Sequence, residues 1–324
     1  MSEREGYLGK SMRHFMTTMI IALFGAPVLG MADTATEAPR PELSLERIAL
    51  ELSNPVTALR RLDWDIEYSN FRGGLPNADD QSSLKNVFTP SWPFKLKNGK
   101  NLIVSATIPI SSDQPTWEVN WWLHYAEFRL RQVEELFLDQ SEFISGHDYL
   151  DDVSIDIAYG GENENGFISM FGLSNVLPIS EDRSASRQQW LIGPDIALGQ
   201  VTSWGLYGAR AKHLTSISEP QVHIYGGEPW DTNETTLQLF FAYALGNGWQ
   251  IESSPVILYD WEALPGNEWL VPIGAGVSKT MKLGRTPIKL GFDIQKYVVT
   301  PDRFGPDWRV TVSLTPVLSS KLLR

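Results

Sequence analysis

The chain has 324 residues, a formal net charge of −12, 20% charged and 11% aromatic residues, and no cysteine. Disulfides, thiolate catalysis, cysteine-ligated metals and a cysteine-linked lipid anchor are excluded, and the acidic balance argues against a nucleic-acid partner. One apolar run approaches membrane-spanning length, and it lies at the N-terminus; this disfavours a helical membrane protein and leaves a soluble all-β protein or a transmembrane β-barrel.

That run, Phe15 to Leu29, follows Lys10, Arg13 and His14 and ends in Gly30-Met31-Ala32. A basic region, an apolar region and small residues before a cleavage point make residues 1–32 a secretory signal, with Met12 as an alternative start. Residues 33–55 then read as a leader: a polar stretch from Asp33 to Pro41, and Leu43 to Ser53 with Leu45, Ile48, Ala49 and Leu52 at helical spacing. Asn54-Pro55 ends this short amphipathic helix, because proline restricts the residue before it.

From Thr57 the hydrophobic period changes to two. Leu62, Trp64, Ile66 and Tyr68 alternate with Asp63, Asp65 and Glu67, a pattern that suits an apolar solvent on one face and water on the other. The alternation recurs in Leu84–Leu96, Asn101–Ile110, Val153–Tyr159, Phe167–Pro178, Trp190–Leu198 and Trp204–Thr215. Thr235–Leu245, Trp249–Trp261, Trp269–Ser278, Ile288–Val299 and Trp308–Leu318 follow, which makes about twelve strands. The barrel thus occupies residues 56–318 and leaves 319–324 as a tail.

The connections alternate in length. Short turns hold Asn98-Gly99, Gly160 to Gly166, Gly199 to Ser203, Gly246-Asn247-Gly248 and Lys282 to Pro287. Long loops run Phe71 to Ser83, Ser111 to Leu150, Ile179 to Gln189, Ser216 to Glu234, Glu262 to Glu268 and Thr300 to Asp307. Short turns on one side and long loops on the other describe an all-β, antiparallel outer-membrane barrel with periplasmic termini. The long 111–150 loop is extracellular on this reading. Within it, His124 to Gln140 puts Phe128, Val133, Leu136 and Phe137 on one helical face.

Trp190, Trp204, Trp249, Trp261, Trp269 and Trp308 fall at strand ends, as a membrane-interface girdle requires. Trp249 and Trp261 share a parity, and the residues between them at ~3.3 Å rise and ~45° tilt span roughly 28 Å of membrane normal. The long loops are acidic, and the short turns carry Lys97, Lys100, Lys279, Lys282 and Arg285. Such loops suit a solvated surface, cation-bridged contact with lipopolysaccharide, or repulsion of anionic solutes at the mouth.

Setting the apolar parity outward puts Asp63, Asp65, Glu67, Asp156, Gln238, Glu252, Lys289, Asp293 and Arg309 inside as pore-lining candidates. Charges of both signs there must pair or meet water, so they either prop the barrel or line a polar path. Arg210 and Lys212 share a parity in a strand whose orientation the pattern leaves open. The histidines show no metal-ligand spacing, the Gly160–Gly166 stretch lacks a phosphate-loop signature, and no cofactor is expected. His213, close to Thr215 and Ser216, and His147, beside Asp148, are candidates for a hydrolase, but neither comes with a recognisable nucleophile motif.

The segment Asn54-Pro55-Val56-Thr57-Ala58-Leu59, the hairpin NVFTPSWPF…NLIVSATIPI and the C-terminal third (LQLFFAYALGNGWQIESSPVILYDWEA, EWLVPIGAGVSKTMKLGRTPIKL, TPDRFGPDWRVTVSLT) resemble one bacterial family. It is the outer-membrane β-barrel transporter family named for the MetA pathway of phenol degradation and often mislabelled neuromedin U. The resemblance covers roughly Asn54 to Leu318. It implies a Gram-negative outer-membrane barrel, inserted by the assembly machinery into lipid and lipopolysaccharide, that passes small organic solutes, aromatic or hydrophobic ones among them. The chain departs from the family in ending on Ser319 to Arg324 rather than on an aromatic residue, and in its long 111–150 loop. A non-conducting structural or surface-interaction barrel is the alternative expectation, and an outer-membrane hydrolase the third.

Overall fold

The computed structural model describes residues 44–118, 142–144, 148–180, 189–218 and 231–318. The signal expected at 1–32, the leader expected before Ser44, the helical stretch expected at 124–140, His147 and the tail 319–324 lie outside the described residues. Twelve strands form one closed antiparallel barrel. They are β1 (Arg61–Arg72), β2 (Ser82–Lys95), β3 (Asn101–Ser112), β4 (Val153–Glu162), β5 (Phe167–Leu177) and β6 (Leu191–Val201). The circuit continues through β7 (Gly205–Ser216), β8 (Asn233–Gly246), β9 (Trp249–Ser253 and Val256–Asp260), β10 (Trp269–Leu283), β11 (Thr286–Val299) and β12 (Gly305–Pro316). Each pairs with the next in sequence, and β12 returns to β1 in the register Trp64↔Leu314, Tyr68↔Val310. Closure removes the exposed edges that an open sheet would present.

Residues 249–261 read as one continuous strand by pattern, but β9 is interrupted at Ser254-Pro255. Proline has no N–H to give the ladder. Its carbonyl still accepts from the Leu239 N–H at 3.1 Å. Toward β10 the pairing runs from Trp249↔Lys279 to Glu252↔Gly276 and resumes at Leu258↔Leu270. In the interval the Ser253 hydroxyl donates to the Gly274 carbonyl at 2.7 Å.

The alternation sorts the two faces as water and apolar solvent would. Phe171, Leu173, Ile196, Leu198, Leu239, Phe292 and Val312 are exposed on the outer surface. Short turns close one end; Gly246, Asn247 and Gly248 all take positive φ (90°, 51° and 77°), the backbone that a tight hairpin needs. At the other end the β1–β2 and β11–β12 loops are stitched by Gly74 N–H to Asp302 O (2.9 Å) and Leu75 N–H to Arg303 O (3.1 Å). Above them Phe143, from the small ladder Thr116–Glu118/Glu142–Ile144, packs on Phe304 at 4.7 Å, and Phe304 stacks on Phe71 at 4.7 Å.

Helix α1 (Leu45–Ser53) forms as its pattern dictates and enters the barrel at the short-turn end. The Ser44 hydroxyl caps its start by accepting from the Arg47 N–H at 3.2 Å, and Arg47 pairs with Glu51 at 2.7 Å one turn on. Ile48, Ala49 and Leu52 are buried, and Leu50 packs on the inward-facing cluster Leu206, Phe240 and Ala242. The next residues continue the fill: Val56 packs with Ile103, Ala158, Ile168, Met170 and Ala197. Among the described residues no helix is long and apolar enough to cross a membrane.

Candidate functional site: the barrel interior

Above α1 the barrel encloses a cavity of about 590 Å³. Its polar wall follows from strand register. Asp63, Asp65 and Glu67 face inward from β1 because Leu62, Trp64, Ile66 and Tyr68 face out. Across β12 and β11, one inter-strand row runs Glu67, Thr311, Asp293, Gly276 and Glu252. The row on its short-turn side runs Asp65, Ser313, Gly291 and Ser278. Carboxylates therefore alternate with hydroxyls and with glycines that carry no side chain. Arg309 and Gln295 form the row beyond.

These charges are partly paired. Arg61 meets Asp63 at 3.0 Å, and Asp63 also accepts from the Thr315 hydroxyl at 2.8 Å. Lys289 forms a short ion pair with Glu252. Arg309 is 3.7 Å from Glu67 and lies over the Tyr297 ring at 5.5 Å. Asp293 accepts from the Gln295 amide at 2.9 Å. Ser53, the last residue of α1, is drawn into this set: its hydroxyl is 2.7 Å from Glu252 and 3.0 Å from Lys289 Nζ. Arg61 also donates to the Leu52 carbonyl at 2.7 Å, so two lumen cations hold the C-terminal end of the helix.

Of the residues chosen by parity, Asp63, Asp65, Glu67, Gln238, Glu252, Lys289, Asp293 and Arg309 line this cavity. Asp156 also points inward but is taken up elsewhere. It accepts from Arg210 (3.0 Å), Lys212 (2.7 Å) and the Ser174 hydroxyl (2.5 Å). Arg210, whose orientation the sequence left open, faces inward and also chelates the fully buried Asp195, with Nε to Oδ1 at 2.8 Å. Two acids and two bases thus neutralise one another on the β4–β7 wall. Asp195 was missed in the sequence although the outward Ile196 and Leu198 that follow it put position 195 on the inward parity. The apolar part of the lining was missed as well: Phe240, Val256, Leu258 and Leu270 face the cavity. Phe240 lies across Gly199 and Gly208, where a Cβ would come within 2.9 and 2.3 Å of its ring; only glycine leaves that room.

On the outer face the six strand-end tryptophans are each between 37% and 57% exposed. At the short-turn end Trp204 neighbours Tyr207, Phe241 and Tyr243, and Lys279 sits over Trp249 at 5.0 Å. At the long-loop end Tyr259 contacts both Trp261 and Trp269 at 4.7 Å, and Lys296 sits over Trp308 at 4.8 Å. His213 does not meet Thr215 or Ser216 but Thr235: its Nδ1 is 2.9 Å from a hydroxyl that also accepts the Trp261 indole N–H. Among the described residues no group of three or more His, Asp or Glu could hold a metal ion.

No protein-family model matches the chain, and no curated relative matches it. Its fold is similar to the crystal structure of an outer membrane channel from Pseudomonas putida F1, at 10% identity and a TM-score of 0.54 over 82% of this chain and 98% of that one. It aligns more loosely with a NanC porin (10% identity, TM-score 0.44, 79% and 99% of the two chains). A Pseudomonas aeruginosa FadL homologue aligns at 10% identity and a TM-score of 0.42, over 82% and 92%. The closed circuit, the apolar exterior and the first of these likenesses define the class of fold: a twelve-strand outer-membrane-type β-barrel.

Proposed function

We propose that this chain is a non-enzymatic passive channel of the Gram-negative outer membrane for small organic solutes, held closed at its periplasmic, short-turn end by α1. The observation that carries the reading is the pair of polar inter-strand rows that runs from Glu252 across β10, β11 and β12 to Asp65 and Glu67, inside a barrel whose outer face is apolar. A dry, filled barrel gives Asp65 and Asp293 no compensation, because charges in low dielectric cost several kcal/mol each unless paired or wet, on the order of the penalties known for buried ions. The adjoining apolar patch of Phe240, Val256, Leu258 and Leu270 on β8 to β10 supports solutes with an apolar or aromatic body. Segment 1–32 is the export signal, and the assembly machinery inserts the barrel. The tryptophans mark the two lipid interfaces, and the acidic long loops meet lipopolysaccharide. The resemblance over Asn54 to Leu318 to the MetA-pathway transporter family fits this assignment.

Liposome swelling of the folded barrel lacking residues 33–53, against sugars, aromatic acids and neutral aromatics, tests it: entry of the small aromatics is expected, and exclusion of the whole panel by that unstoppered barrel would overturn it. The second reading, a permanently filled structural barrel acting through its loops, draws on the firm docking of α1. It requires that trimming residues 111–150 abolish function while lumen substitutions do nothing.

A further inference from the structure

The pairing inside the cavity is incomplete in one direction. Arg61 is committed to Asp63, Lys289 to Glu252, and Arg210 to Asp195 and Asp156. Arg309 leans toward Glu67 at 3.7 Å. Among the described residues no cation comes within ion-pair range of Asp65 or Asp293, which face the cavity from neighbouring inter-strand rows of the same wall. Between them stand only small residues: Gly291 carries no side chain, and Thr311 and Ser313 offer hydroxyls that can solvate an ion. The four-residue cluster on the opposite wall is internally neutral and adds no positive field to offset them.

From this geometry we infer that the lumen is cation-selective, with Asp65 and Asp293 as the residues that set the sign. Among organic solutes it therefore favours those bearing an ammonium over those bearing a carboxylate. The inference rests on the channel reading and goes beyond it. Once both carboxylates are ionised, two uncompensated charges at about 4–5 Å from a passing ion, in water-like dielectric and partly screened, favour a cation over an anion by a factor on the order of ten, so the selectivity is read at alkaline pH.

The test is the reversal potential of the full mature chain in planar bilayers under a KCl gradient. A potassium-to-chloride permeability ratio of about ten is expected, falling toward unity in Asp65→Asn with Asp293→Asn. Arg309→Gln, which removes an opposing charge, should move the ratio the other way, and this opposite sign protects the conclusion against a variant that merely misfolds. Heat-modifiable gel migration reports folding for each. A conducting barrel that is unselective or anion-selective, or whose ratio ignores these substitutions, overturns the inference while leaving the channel reading intact. A folded barrel that never conducts, even with Leu52→Ala, overturns both.

Discussion

Leu52 is the place where docking of α1 can be weakened without touching the barrel wall. Its side chain is 5% exposed, borders the cavity and belongs to the buried face formed with Ile48 and Ala49. Replacing a buried leucine by alanine costs about 2–5 kcal/mol. Because this site opens onto an existing cavity, where the neighbours already lack partners on one side, the lower end applies. About 2 kcal/mol taken from docking raises the undocked population about thirtyfold, at roughly 1.4 kcal/mol per factor of ten. The strand ladders of β1–β12 do not involve this side chain, so the barrel itself should migrate as folded on unheated gels. Single-channel recording then reads the fraction of time open: Leu52→Ala should raise it by more than tenfold, whereas Glu46→Ala, on the exposed side of the helix, should leave it unchanged. An open fraction that does not respond to Leu52→Ala in correctly folded protein would refute the assignment of α1 as the closing element.

Arg210→Ala should strand the buried carboxylate of Asp195 and lower the stability of the folded barrel by about 3–5 kcal/mol, read as a shift of the urea midpoint; Arg210→Lys, which lacks the planar fork, should recover only part of it. Phe240→Ala should cost about 3–5 kcal/mol and widen the cavity beside Gly199 and Gly208, so that liposome swelling admits larger solutes than the parent does. Brominated lipids should quench single-tryptophan chains at two depths, Trp204 and Trp249 at one interface and Trp261, Trp269 and Trp308 at the other. Quenching of all five near the bilayer midplane would contradict the girdle.

Much of this architecture is written in the chain because a barrel strand has two solvents, and each residue must choose one. Asp63, Asp65 and Glu67 between Leu62, Trp64, Ile66 and Tyr68 leave no other facing, and the inward orientation of Glu67, Asp293 and Glu252 follows from parity, whereas their common row needs the inter-strand register. Parity falls silent where both faces are apolar. Phe240-Phe241 gives no alternation, so the inward ring that seats α1 could not be told from the outward one. It falls silent again around Gly205 to Lys212, where glycines and alanines leave Arg210 without a marked face. Pairings between distant strands, such as Arg210 with Asp156 and Asp195, and the capture of Ser53 by Glu252 and Lys289, are tertiary facts with no local signature. The break at Pro255 was readable, since proline cannot donate, but the strong alternation around it masked the signal.

The most direct test of the central claim is planar-bilayer conductance of the folded barrel before and after removal of residues 33–53. A lumen that is polar, continuous and stoppered by α1 predicts silence or brief openings in the intact chain and sustained, uniform steps once the segment is gone. Silence in both forms, with gel migration showing a folded barrel, would contradict it.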